Sequence, residues 1–333
     1  MYLLRPSQLN DTDRVLELAQ QQGIRQAGLP KTKEALSHCI RQSEDSFRAS
    51  NSIQNQLWVL ESLEQDEVIG TIAVEACTGQ TEPFYSYRRE TLINASYRLK
   101  VKEEIPVLYQ SHELAGCTQI HSMTLTPEHR NQTALCTMIQ GVLLYIAEYS
   151  QSYCPKLLIE FPGFKDERGH SPLWNDLGQH FFQMTLEQAC FHASIEDKAL
   201  IAQLMPNHPL YQNLLSSTCQ STLGEPQQDL LDYYQLFMIE GFTRSQHVDI
   251  FDGGPCLICD TRNNFSMNEN RRIKLADYSS PAIPHIITSN QQDAKAVWMD
   301  PARKDPVSYL RNHLGLSEQD WLRWVPAHQE VRS

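Results

Sequence analysis

The chain has 333 residues, 41% of them hydrophobic, which is enough for one large or two modest domains with a substantial core. Its 28 basic and 40 acidic residues give a net charge of −12, which disfavours nucleic acid as a partner and is compatible with a cationic substrate. Without an apolar run of about 18 residues or a secretory signal, we expect a cytoplasmic protein that makes no membrane contact and keeps its nine cysteines reduced.

The first third of the chain is predicted to alternate between strands and helices. Apolar residues at helical spacing follow a capping residue at Asn10 or Asp11. In chain order the predictions are a first strand ending at Pro6, that helix, a second helix over 32–47, strands over 57–60 and 68–74, and a strand within 85–96.

The central segment predicts a strand, a helix and a second strand in succession. The strand over 119–125 is followed by a turn at 126–128, an apolar helix over 132–149 and a strand over 156–160. A unit of this kind, about forty residues long, indicates two parallel strands joined by a crossover helix.

The second half begins with helical patterns and ends with short strands. Helices are predicted over 172–182, 195–203, 210–217 and 228–240, and strands near 248–251, 256–259, 273–275, 286–287 and 296–299. Cys256 and Cys259 form a CxxC pair, but no second ligand pair has matching spacing. We therefore predict no metal site and assign both cysteines to a buried strand.

Three segments carry a resemblance to a known family. They are His247-Val-Asp-Ile-Phe-Asp-Gly-Gly-Pro255, Ala202-Gln-Leu-Met-Pro-Asn-His-Pro-Leu-Tyr211 and Ser171-Pro-Leu-Trp-Asn-Asp-Leu-Gly-Gln-His-Phe-Phe182. In this order and spacing the chain resembles the arginine N-succinyltransferases from Arg5 to about Asp260. The resemblance implies an α/β fold with tandem acetyltransferase-like (GNAT-like) mixed sheets flanked by helices, divided into halves at 1–185 and 186–333.

The resemblance also implies succinyl-CoA as a co-substrate and no permanently bound cofactor. The pyrophosphate is expected at the helix start, with Arg130, Thr133 and Ala134 as binding residues. Thr133 and Leu135 replace two glycines of the usual pattern, and we expect Leu135 to add bulk near the phosphates. Met123 and Leu125, on the preceding strand, are expected beside the pantetheine arm, with His121 on the same face unless a bulge intervenes.

The catalytic residues implied by the family are partly replaced. The position of the family's proton-donating histidine falls on Gln227, which hydrogen-bonds but cannot shuttle a proton. Glu225 or Asp229 is a possible substitute, and His208 is a third candidate that also has a structural interpretation. Pro162 stands where the family places an arginine.

Tyr87, Arg88 and Asn94 match an aromatic–arginine segment of the family and are the predicted substrate residues. The resemblance thus implies transfer of a succinyl group to the α-amine of L-arginine in arginine catabolism. Two alternatives stay open: a non-catalytic or partner subunit, in a homo- or hetero-oligomer with a homologous chain, and an acyltransferase with a changed donor or acceptor.

Overall fold

The computed structural model describes residues 1–21, 29–49, 53–80, 82–98, 100–195, 202–289 and 293–328. Its strands are β1 Tyr2–Pro6, β2 Asn55–Ser62, β3 Glu67–Glu75, β4 Ser86–Ser96, β5 Val101–Ser111, β6 Thr118–Leu125, β7 Lys156–Glu160, β8 Leu210–Tyr211, β9 Thr243–Asp249, β10 Pro255–Asp260, β11 Arg271–Lys274, β12 His285–Ser289, β13 Ala296–Met299 and β14 Trp321–Pro326. Its helices are α1 Thr12–Gln21, α2 Lys33–Arg48, α3 Gln132–Glu148, α4 Gln179–Phe182, α5 Leu186–Ile195, α6 Ser217–Thr222, α7 Leu231–Ile239, α8 Phe265–Glu269 and α9 Pro306–Leu314.

All fourteen strands belong to one mixed sheet, in the order β11-β14-β12-β13-β1-β2-β3-β6-β7-β10-β9-β4-β5-β8. The pair β6 and β7 is parallel, as the predicted strand–helix–strand unit requires, and the other strand pairs are antiparallel. The prediction of an α/β fold with mixed sheets and flanking helices is therefore confirmed.

Helix α3 is the apolar centre of the molecule. Asn131 caps it, since the Asn131 side chain accepts a hydrogen bond from Ala134 N at 3.1 Å. Every residue from 134 to 146 is buried, so the helix is apolar on all sides rather than amphipathic. It packs with β6, β7 and α7 in the largest core cluster.

Further clusters attach the other helices to the sheet. Helices α1 and α2 pack on β2 and β3, α9 packs on β12–β14, and residues 172–190 pack on β4 and β9. The described helices include none that is both long and apolar enough to cross a membrane.

Several predicted elements differ from the structure. The helix predicted over 210–217 is wrong: Leu210–Tyr211 forms β8, a single 3₁₀ turn follows, and α6 starts at Ser217. A hydrogen bond from Gln212 Nε2 to Val107 O helps to hold this stretch against β5. Strands β5 and β14 and helices α5 and α9 were not predicted. The helix predicted over 195–203 falls largely outside the described residues.

The CxxC pair lies within β10, where residues three apart face opposite sides of the sheet. Cys256 packs with Leu114, Cys117 and Leu158, whereas Cys259 packs in the α3 cluster. Both thiols are buried core groups that cannot share a ligand.

The division into halves at 185 and 186 stays a prediction. Strands that follow residue 186 occur on both sides of the N-terminal strands in the single sheet. Strands β9 and β10 lie between β7 and β4, and β11–β14 lie beyond β1. The segments before and after residue 186 therefore share one sheet.

A buried carboxylate fixes the end of α7 to the C-terminal segment. Glu240 is 0% exposed and accepts hydrogen bonds from Ser266 N at 3.0 Å and Ser266 Oγ at 2.7 Å. Its Oε1 also contacts His328 Nε2 at 2.5 Å. Gln132 Nε2 donates to His328 O at 3.1 Å, so the same segment touches the start of α3.

We expect Glu240→Ala to lower the free energy of unfolding by about 3 kcal/mol, since several buried polar groups lose their partner. Urea unfolding of the full chain measures this loss. Glu240→Gln retains an acceptor and is the matched control, with a smaller expected loss. Equal losses in the two variants would contradict the role given to the hydrogen bonds.

Candidate functional site

The parallel strands β6 and β7 separate along their length. Their pairing consists of Thr118 with Leu157 and Gln119 with Leu158 and stops there. Beyond this point β7 pairs with β10 as far as Glu160, while β6 keeps its other neighbour, β3. The edge of β6 between Ile120 and Thr124 therefore faces a gap in the sheet, where backbone groups can bind an extended ligand.

A bulge reshapes β6 at this gap. Ser122 has φ = 50°, and the pairing with β3 shifts so that His121 lies opposite Ala73 while Thr124 lies opposite Thr71. Met123 packs in the α3 cluster, as does Leu125. His121 is on the other face, so the expectation that it shares the face of Met123 is wrong.

The His121 imidazole is poised as a neutral group. Burial lowers its pKa to about 4, and its Nδ1 lies 2.9 Å from Ser122 Oγ. Met123 and Leu125 are also buried, so their side chains belong to the core. What β6 offers a ligand at these positions is its backbone.

The start of α3 lies next to the C-terminal end of β6. Ala134 N donates to the Asn131 side chain, and Leu135 N donates to Asn131 O at 3.0 Å. In the part of the chain that the structure describes, the amides of Gln132 and Thr133 have no acceptor. These two N–H groups are the ones a phosphate oxygen can accept from.

Arg130, the predicted phosphate ligand, is engaged within the protein. Its Nε donates to Asp232 Oδ2 at 2.6 Å, its NH2 group contacts Asp232 and the Asp229 carbonyl, and its guanidinium stacks on Tyr233. These contacts attach the loop before α3 to the start of α7. Binding a phosphate through Arg130 therefore requires the Asp232 pair to be shared or exchanged.

The structure corrects the expectation for Leu135. Its side chain is 3% exposed and packs in the α3 cluster rather than toward the loop before the helix. The helix turns this position inward, since it lies one turn after the cap. Leu135 thus adds no bulk along the helix start, and the ligand amides belong to other residues.

The Gln227 position lies at the end of β7. Gln227 N donates to Pro162 O at 2.9 Å, and a β-bridge joins the adjacent residues Gly163 and Pro226. The Gln227 Nε2 contacts Asp229 Oδ1, and its Oε1 is buried with no partner among the described residues. The fold thus places Gln227 beside the end of β7.

Glu225 is bound elsewhere. Its two carboxylate oxygens accept from Arg244 NH1 and NH2, each at 3.0 Å. The hydrogen bonds from Arg244 lower the pKa of Glu225, which makes it a poor proton acceptor. Of the two acidic candidates, only Asp229 touches the Gln227 side chain.

The other predicted residues do not converge. Tyr87 is fully buried, and its hydroxyl donates to Pro206 O at 3.3 Å. Asn94 is exposed near the tip of the β4–β5 hairpin, and His208 is exposed before β8. Only Arg88 lies in a polar cluster, where it pairs with Glu90 and Glu113.

That cluster was missed in the sequence. His247 lies opposite Arg88 on β9, and its Nε2 is 3.4 Å from Glu113 Oε2. Burial lowers the pKa of His247 below its ordinary value, which favours the neutral ring near pH 7. Next to the gap, Gln119 Nε2 donates to Glu160 Oε2 at 3.2 Å. The alternation of side chains between the two faces of β6 and β7 was the sequence signal from which the Gln119–Glu160 pair could have been predicted.

The glycine-rich turn after β9 supports the Gln227 loop. Gly224 N donates to Gly253 O at 2.8 Å, and Asp252 accepts from Gly163 N and Gly254 N, both at 2.9 Å. A Cβ on Gly254 would lie 2.0 Å from Phe161 O, so only glycine permits this approach. Burial, and then the charge of Asp249, raise the pKa of Asp252 to about 7.

This raised pKa predicts a pH dependence of stability. The folded chain holds the Asp252 proton up to about pH 7, whereas the unfolded chain releases it near pH 3.9. Stability should therefore fall as pH rises across that window, with a slope of roughly 1 kcal/mol per pH unit from this group. Urea unfolding of Asp252→Asn should lack that slope, and Glu103→Gln, at an exposed position, should keep it. Parallel curves for wild type and Asp252→Asn would refute the assignment.

The fold and the site define an α/β protein whose mixed sheet opens at its parallel strand pair, beside the start of a helix. The family model described as "Arginine N-succinyltransferase beta subunit" matches residues 2–265. The chain belongs to the arginine N-succinyltransferase family.

Relatives agree with this assignment over nearly the whole length. The chain is 31% identical to the arginine N-succinyltransferase subunit beta of Pseudomonas aeruginosa, over 99% of each protein, and 31% identical to subunit alpha, over 90% of each. It is 33% identical to the arginine N-succinyltransferase of Yersinia enterocolitica, over 78% of this chain and 76% of that protein.

A solved structure shares the architecture. The arginine/ornithine succinyltransferase subunit AI of Pseudomonas aeruginosa superposes with a TM-score of 0.88 and 29% identity, over 99% of both chains.

Proposed function

We propose that this chain transfers the succinyl group of succinyl-CoA to the α-amine of L-arginine, the first chemical step of arginine breakdown. The observation that carries the proposal is the open edge of β6 beside the start of α3, in a member of the arginine N-succinyltransferase family. The division of the chain into two acyltransferase-like halves is part of the same proposal.

Succinyl-CoA fits the described groups as a co-substrate. Its pantetheine arm would lie along β6 between Ile120 and Thr124, and its phosphates would accept from Gln132 N and Thr133 N. Backbone N–H groups near the bulge would polarise the thioester carbonyl. The neutral amine of arginine would attack that carbonyl, forming the amide bond as the carbon–sulfur bond breaks. CoA would leave as the thiol, carrying the proton that the amine loses.

The acceptor side is proposed to lie on the face of the sheet that carries Gln119 and Glu160. Carboxylates suit a guanidinium because they accept two parallel hydrogen bonds from it. Glu160 lies at the gap, and Glu113 lies in the neighbouring cluster with Arg88 and His247. The negative net charge of the chain favours the approach of a cation.

The test is a mass-spectrometric assay of the purified chain with succinyl-CoA and L-arginine. The proposal expects succinylarginine at catalytic turnover, well above a reaction without protein. Nα-acetylarginine, whose α-amine is blocked, is the matched control and should give no product. A folded, homogeneous protein that yields no succinylarginine would overturn the proposal, and product from acetyl-CoA instead would indicate a changed donor.

A second candidate is a subunit that does not itself catalyse transfer. Gln227 at the histidine position and the Glu225–Arg244 pair favour it, because neither Gln227 nor Glu225 is suited to shuttle a proton. Relatives named as subunits alpha and beta support a homologous partner chain. Co-expression with such a chain should then give a stable complex, and turnover should require both chains.

A further inference from the structure

Three cysteines lie close together at the end of the central strands that is opposite the open end of the β6–β7 gap. Cys77 follows β3, Cys117 precedes β6, and Cys154 precedes β7. Strand β3 runs antiparallel to β6, and β7 runs parallel to β6. The end of β3 therefore lies next to the starts of β6 and β7. The topology thus brings together thiols that are far apart in sequence.

Two of these thiols are in direct contact. Cys77 Sγ and Cys154 Sγ are 2.7 Å apart, closer than the van der Waals separation of two sulfur atoms. Both residues are partly exposed, so a small reagent can reach them, whereas Cys117 is 2% exposed. No role in the proposed acyl transfer involves either one.

The backbone around the pair is fixed by hydrogen bonds. Thr118 Oγ1 donates to Ala76 O at 2.8 Å, and Cys154 N donates to Thr118 Oγ1 at 2.9 Å. On the other side of Cys77, Thr78 N donates to Cys117 O at 2.8 Å. The two cysteines are therefore held next to each other by the fold, which lowers the entropic cost of joining them.

We propose that Cys77 and Cys154 are a site of reversible disulfide formation by exchange with a low-molecular-weight disulfide, such as oxidised glutathione. The thiolate of one cysteine attacks the reagent and displaces one small thiol, leaving a mixed disulfide. The second cysteine then displaces the other small thiol and closes the protein disulfide. The protein pair loses two electrons and two protons, and the reagent is reduced to two thiols.

The bond would join the end of β3 to the start of β7 across β6. It would join residues that are 77 positions apart in the sequence and would hold together the paired end of the strands whose other end is open. Burial raises the pKa of Cys154 to about 12, so exchange should be slow near neutral pH and faster in alkali. The cross-link is expected to raise the melting temperature by about 5–10 °C.

The test is peptide mapping of the full chain after incubation with oxidised glutathione and alkylation of the remaining thiols. We expect one peptide pair linking Cys77 to Cys154, an intact mass lower by two hydrogen atoms, and reversal by dithiothreitol. Cys77→Ser should abolish the loss of two hydrogen atoms, because Cys154 alone can form only a mixed disulfide with glutathione, and Cys39→Ser, at another partly exposed cysteine, should retain it. A stable glutathione adduct, a link to Cys117, or an unchanged map of the folded wild-type chain would each overturn the proposal.

Discussion

A Gln227→His variant is expected to form succinylarginine about 10²- to 10⁴-fold faster than the wild-type chain, the range that general acid–base assistance typically contributes. The amine nucleophile must lose a proton and the leaving thiolate must gain one. Glutamine can neither accept the first proton nor supply the second. An imidazole titrates near neutral pH and can do both.

The contacts of Gln227 support the Gln227→His substitution. The Gln227 backbone is fixed by its hydrogen bond to Pro162 O, so the new side chain would start from the end of β7. Asp229 Oδ1, which contacts Gln227 Nε2, is placed to accept from the imidazole and orient it. The second ring nitrogen would take the place of Gln227 Oε1, which is buried without a partner in the described chain.

The measurement is the pH dependence of kcat/KM for both proteins by mass spectrometry. The variant should acquire an ionisation near pH 6–7 that the wild type lacks. Gln228→His, on the exposed neighbouring residue, is the matched control and should leave the rate unchanged. Equal rates for wild type and Gln227→His, with both folded, would mean that position 227 is remote from the reacting atoms.

Leu135→Gly is expected to lower the free energy of unfolding by about 3–6 kcal/mol, combining a core leucine cavity with the cost of glycine in a helix. From the usual glycine pattern at this position, one would instead expect Leu135→Gly to improve the binding of succinyl-CoA. We expect the loss of stability and no gain in binding, because the Leu135 side chain is packed in the α3 cluster and nearly inaccessible.

Urea unfolding measures the loss, and isothermal titration with CoA at a temperature where the variant is folded measures binding. Thr133→Gly is the matched control: Thr133 is half-buried at the helix start, so its loss of stability should be near 1 kcal/mol or less. A stable Leu135→Gly protein with tighter CoA binding would show that Leu135 obstructs the phosphates after all.

The elements best predicted from sequence are those whose own pattern determines them. The strand–helix–strand unit around α3 was predicted because its apolar runs are long and its turn residues are clear. Strand β5 was not, since its first four residues are exposed and it contains Pro106, a residue that argues against a strand in a sequence pattern. Its conformation depends on β4, with which it pairs along all eleven residues.

The site was harder to predict because its geometry depends on features that spacing does not encode. The positive φ of Ser122 moves His121 to the other face, and no glycine marks the bulge. The Arg130–Asp232 pair joins residues 102 positions apart, so it becomes visible only in the fold. The assignment of the family's histidine position to Gln227 stays a prediction, and the sequence pattern did not give the direction of the Leu135 side chain.

Because early and late strands of the chain belong to one sheet, the sheet cannot be completed until the late strands have been synthesised. The family match ends at residue 265, yet the four strands that lie beyond β1 in the sheet, beginning with its neighbour β13, fall between Arg271 and Pro326. Until that segment has been synthesised, β1 exposes an unpaired edge, and α3 lacks the contacts of Gln132 with His328 and of Gln140 with Pro326. A nascent chain that extends only as far as residue 270 therefore carries an unpaired strand edge, which β13 covers once it has been synthesised. Such an edge can pair with other chains, so aggregation is a risk at this stage.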